Sequence, residues 1–240
     1  MKENSTLLQR GKKLFSKISS GKTSSYLLKT YFVYIFVAAL MVVTKVAIAR
    51  FYGQEELGVY SYFFALGSFL FLWTSFEFPE ALTQLIVKNK HDLKQIFWLS
   101  NKWILFTTTV VVLILYVIDS FVYPLFASYS YLFLALVLFV ISYTIYYQLY
   151  SVLRGDKQFA KSSAFSLVWR TLFVIGIFVL ASLGLSFWYI LILLSFCVLI
   201  AAFTMLPDFL KIWKKTANKT QEFVSSTKLW ELAFALFLVQ

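Results

Sequence analysis

Few side chains in this sequence could do chemistry, and most of them are cations set within apolar runs. Lys45 lies near the end of one such run and Arg170 inside another. An ionisable group in a membrane span is expensive and usually faces a cavity or a partner. Tyr34, Ala38, Met41, Lys45 and Ala49 fall on one helical face, a partly small and polar stripe. From that face Lys45 would reach a water-filled cavity and contact an anionic substrate. The alternative is a long side chain snorkelling to the interface a turn away. Arg170 could grip a pyrophosphate through paired hydrogen bonds, or extend to the headgroups at the nearer end. Arg50 closes the first run, where pairing with Glu55 or Glu56 competes with substrate contact. Glu77 and Glu80 flank Pro79. Glu77 is the candidate for binding a coupling proton or sodium ion. Interfacial capping, or pairing with Lys88, is the plainer role for these acids.

Other chemistry is poorly supported. No Ser-His-Asp set, phosphate loop or metal-ligand spacing occurs, and the single His91 and single Cys197 stand apart. We therefore expect no catalytic residue, no metal and no cofactor.

The elements that must hold these residues are membrane helices. Apolar residues make up 60% of the 240-residue chain, and the mean hydropathy is +0.78, far above a soluble domain. The runs are long and do not alternate, which excludes barrel strands. Their lengths predict six crossings: Tyr26–Ala49, Leu57–Phe76, Phe97–Ile118, Tyr131–Tyr150, Ala164–Leu185 and Phe187–Leu206. The fold class is thus an all-α integral membrane protein of six transmembrane helices, plus the start of a seventh at 229–240. Residues 1–25 form a basic segment, read either as an amphipathic helix on an anionic leaflet or as a disordered tail. Residues 26–206 are the six-helix lobe and 207–228 a basic linker. The stretch 229–240 is too short to cross alone, so a truncated chain is the expectation, with a complete six-helix protein as the alternative.

The net charge of +11 would point to nucleic acid in a soluble protein. Here the positive residues sit at 2–29, 88–102, 154–161 and 211–228, on alternate loops, and only Arg50 lies on the opposite side. That asymmetry predicts cytoplasmic ends and membrane lipids, not nucleic acid, as partners. Tyr and Trp near span ends (Tyr52, Tyr60, Trp98, Trp103, Tyr123, Tyr131 and Trp188) read as interfacial belts. Tyr143, Tyr146 and Tyr147 could stack on sugars, though belt or packing roles come first.

The corner between the first two runs carries a resemblance. Ala49-Arg50-Phe51-Tyr52-Gly53, then Gly58-Val59-Tyr60, is similar to the A-R-x-x-G-x-x-x-x-G-x-Y corner of polysaccharide flippases in the multidrug/oligosaccharidyl-lipid/polysaccharide exporter superfamily. Gly53 and Gly58 suit a corner of unusual φ or close helix packing. Phe76-Glu77-Phe78-Pro79-Glu80-Ala81-Leu82 stands where that family has a G-L-P-x-A-L end to helix two, without the glycine before the proline. Pro79 would end or kink that helix. Leu153-Arg154-Gly155 with Phe159 resembles the family's L-R-G-x-x-R-F loop. The resemblance spans residues 25–240. It implies one lobe of an alternating-access transporter that flips a lipid-linked oligosaccharide, a polyprenyl-diphosphate repeat unit, across the cell (inner) membrane for surface polysaccharide synthesis. It implies a polysaccharide polymerase or transferase as a further partner. A drug/cation antiporter of the same superfamily and a non-transporting subunit of an assembly complex are the competing readings.

Overall fold

The computed structural model describes residues 21–89, 93–118, 120, 130–216 and 226–238. The readings of the tail before residue 21, His91, Tyr123 and residues 217–225 of the linker lie outside these. The described chain is all helix: α1 (Gly21–Phe51), α2 (Gln54–Ser75), α3 (Phe78–Asn89), α4 (Leu93–Val117), α5 (Ser130–Gly155), α6 (Phe159–Ser182), α7 (Trp188–Thr216) and α8 (Ser226–Phe237). Six of these, all but α3 and α8, are long and apolar enough to cross a membrane. They match the six predicted spans, mostly with longer ends. The protein is a multi-pass membrane protein.

α5 and α7 form the centre. About half of each apolar window is buried, 56% and 50%, against 11–28% for the other four spans. On α7 the buried residues Ile190, Leu194, Cys197, Val198, Ala201 and Met205 recur at helical spacing. On α5 the facing stripe runs Leu132, Ala135, Leu136, Phe139, Tyr146, Leu149 and Leu153. Small residues at these positions bring the backbones close, which matters because lipid offers no hydrophobic drive between helices. α1 packs on α6, α6 on α7, and α2 on both α4 and α5. Outer side chains such as Ile35, Leu105 and Phe203 are exposed, as expected of surfaces solvated by acyl chains.

Helix two ends as the proline led us to expect, but the chain does not then become a loop. Phe76 and Glu77 take positive φ, 45° and 58°, and the Phe76 amide donates to the Leu72 carbonyl. α3 starts at once, with Pro79 in its first turn, where a missing N–H is harmless. Phe78, Ala81, Leu82 and Leu85 make its buried stripe. The helix was missed because it is only 12 residues long, well short of a span, although its apolar spacing is visible in the sequence. Likewise the helix predicted to end at Leu206 runs through Pro207 to Thr216, so the first part of the expected linker is helical. α8 lies against α3 and α4. Its Trp230 packs on Phe76, Phe78 and Trp103 at 4.9–5.3 Å between ring centres. Trp103 is therefore a packing residue more than part of a belt.

The Leu153-Arg154-Gly155 motif binds α3 to α5. Leu153 is fully buried. Arg154 Nη1 donates to Glu80 Oε1 at 2.7 Å, and Tyr147 Oη donates to the same oxygen at 3.2 Å. Thr83 Oγ1 donates to the Ser151 carbonyl at 3.0 Å. Glu80 is thus paired with a residue 74 positions away; the side chain of Lys88, the partner the sequence suggested, lies outside the described residues. A Cβ on Gly155 would come within 2.7 Å of Ile86 Cβ, so only glycine lets the two helices approach this closely.

Two measurements check this clamp. Gly155→Ala should lower the stability of the detergent-solubilised protein by about 1–3 kcal/mol, the usual scale of overpacking; unchanged thermal unfolding would refute the close approach. A double-mutant cycle of Glu80→Gln and Arg154→Gln should give a coupling of about 1 kcal/mol, within the range for contacting pairs. Strictly additive effects would mean the ion pair does not form.

Candidate functional site

α1, α2 and α6 leave a cleft of about 140 Å³ between them. Its walls come from Met41, Thr44 and Lys45 on α1, from Tyr60, Ser61, Phe64 and Ala65 on α2, and from Trp169, Arg170 and Phe173 on α6. Met41 and Lys45 are one turn apart and so share a face. The structure thus brings the two candidate cations of separate helices to one cavity, whose lining among the described residues holds no carboxylate.

Arg170 lies further along its helix than the predicted start implied. α6 begins at Phe159, not at Ala164, so Arg170 is 11 residues in, about 16 Å along the axis. Its guanidinium lies 4.2 Å from the centre of the Trp169 ring, a favourable cation–π distance. Nη1 donates to the Ser166 carbonyl at 3.1 Å, and Nε is buried without a hydrogen-bond partner among the described residues. A buried donor left open is costly unless a ligand or water meets it. Tyr60 is 8% exposed and stacks on Phe173 at 6.0 Å, closing the inner wall. It is a cavity residue, not a belt residue. Lys45 is exposed and makes no ion pair among the described residues.

The remaining candidates lie elsewhere. Arg50 is exposed on the last turn of α1. It forms no ion pair with Glu55 or Glu56; the negative end of its own helix is its favourable partner. Glu77 is buried, 7% exposed, at the break between α2 and α3, and is not in the cavity lining. Gly53 takes φ +110° at the corner, a conformation that side chains resist. Gly58 is different: it lies within α2, and a Cβ there would meet nothing within 4 Å. Pro79 serves in the first turn of α3.

Several contributors were not singled out from sequence. Trp169 adjoins Arg170 in the chain, a neighbour that could have been noticed. Asp208 is 9% exposed and pairs with Lys161 Nζ at 2.6 Å and Lys211 at 3.8 Å, tying α6 to α7. Tyr143, Tyr146, Tyr147 and Tyr150 pack on one another along α5, ring centres 5.5–6.0 Å apart, a packing ladder within the lobe. What the cleft offers chemically is anion binding: two cations from different helices, an open guanidinium N–H, and aromatic side chains beside them.

No curated protein and no solved structure matches the chain. A family model described as polysaccharide biosynthesis protein matches residues 21–239. With six membrane-spanning helices and the motifs described above, the chain belongs to the polysaccharide biosynthesis protein family, the flippase-type family whose corner motif it shares.

Proposed function

We propose that this protein is a transporter, not an enzyme, and that it moves a lipid-linked oligosaccharide from one leaflet of the cell membrane to the other. The observation that carries the reading is the convergence of Lys45 and Arg170 on one cleft without an acidic neighbour. A diphosphate joining a sugar to a polyprenyl chain is an anion that needs such a site, because a charge taken out of water must be paired. Arg170 offers the planar donor set that matches phosphate oxygens, and Lys45 a compact charge. The polyprenyl tail would stay in lipid while the head occupies the cleft. Alternating exposure of the cleft to the two sides would complete the transfer. Glu77, buried at the helix break, is the candidate for coupling to a proton or sodium ion. The positive lining disfavours the competing reading, export of cationic drugs.

Transport tests this directly. Lys45→Ala and Arg170→Ala should each lower translocation of the lipid-linked sugar about tenfold or more, the loss expected for a hydrogen bond to a charged group, with normal expression and folding. Lys45→Arg should retain more activity than Lys45→Ala. Full activity in both alanine variants would remove the cavity from the mechanism, and accumulation of a fluorescent cation by the unaltered protein would favour the antiporter.

A further inference from the structure

A second, larger cavity opens on the outside of the lobe. It measures about 710 Å³ and runs between one face of α4 and the start of α8. Gln95, Trp98, Lys102 and Leu105 line it at intervals of three, four and three residues, hence on a single helical face. Ser226, the first residue of α8, stands opposite. The groove shares no residue with the cleft of Lys45 and Arg170.

The order of residues along this face is graded. Leu105 is 70% exposed and Trp98 is 69% exposed, with Lys102 between them. Lys102 lies nine residues into the membrane span that begins at Leu93, about 14 Å from the helix start. It faces away from the core and has no ion pair among the described residues. A lysine on an apolar, membrane-spanning helix needs an anion or a path to the interface. Among the described residues, no acidic residue lies in the first turn of α8 or lines the groove.

We propose that this groove binds a phospholipid with an anionic headgroup. The Lys102 ammonium meets the phosphate, the Trp98 indole lies at headgroup level, and an acyl chain runs inward over Leu105. The site lies at the end of the bundle where α3, α4 and α6 meet lysine-bearing loops, where a basic pocket between helices is placed to select acidic lipids. The inference is independent of what the central cleft carries.

Native mass spectrometry of the purified full chain, titrated with phosphatidylglycerol or phosphatidylcholine of the same acyl chains, tests it. The protein should bind phosphatidylglycerol preferentially. Lys102→Gln should reduce that preference about fivefold, the worth of one lysine at an anionic surface. Lys102→Arg should keep it, and Lys214→Gln, an exposed lysine elsewhere, should leave it unchanged. Equal binding of the two lipids, or a preference indifferent to Lys102→Gln, would overturn the proposal. Competition by inorganic phosphate as effective as the lipid would show an anion site and not a lipid site. Loss of the groove to a second copy of the chain, seen as a dimer that excludes lipid, would overturn it too.

Discussion

A bilayer gives a helix no reward for hiding its leucines, since acyl chains solvate them as well as a neighbouring helix does. The lobe must therefore be held by close contact and by polar groups that find partners inside it. α5 and α7 supply the contact through Ala135, Ala201 and Ala202, all nearly inaccessible. The partners are spread between helices. Gln148 Nε2 donates to Ser100 Oγ at 2.9 Å across α5 and α4, Thr83 bonds the Ser151 carbonyl across α3 and α5, and Glu80 meets Arg154. Each satisfies groups that hydrocarbon would leave bare.

The same constraint sorts the charges. Asp208, mostly buried, holds Lys161 and Lys211. Glu80 holds Arg154. Each carboxylate offsets one cation, and the Asp208 cluster keeps one positive charge over. Lys45 and Arg170 share a cleft with no carboxylate, and that imbalance is the feature a structural role explains least well. Arg170 is kept in place by the Trp169 ring and the Ser166 carbonyl, both on its own helix, so its orientation does not depend on a ligand being present. Pre-orientation of this kind lowers what binding must spend on ordering side chains.

Much of the fold was legible because bilayer thickness sets helix length, and six apolar runs of that length can be counted. The helix ends were less so. The sixth predicted span stops at Leu206, yet α7 continues through Pro207 to Thr216. α3 escaped notice because a 12-residue amphipathic helix has no thickness to match. The cations within spans were visible as Lys45 and Arg170, but their meeting depends on α1 packing against α6, a choice of neighbours that spacing along the chain does not encode. The Glu80–Arg154 pair was hidden for the same reason: it depends on the packing of α3 on α5, across 74 residues. Arg50 was read through Glu55 and Glu56, yet the corner at Gly53 leaves it unpaired with either.

The central claim is that the cleft between α1, α2 and α6 is open to water and takes an anionic head. The most direct measurement is reaction of Ser61→Cys with a charged thiol reagent, in a Cys197→Ala background that keeps both cations. Ser61 lines the cleft, so the account predicts that the thiol is modified, that a polyprenyl diphosphate slows the reaction, and that adding Lys45→Ala abolishes the protection. A thiol that never reacts, or a rate the diphosphate leaves unchanged, would contradict it.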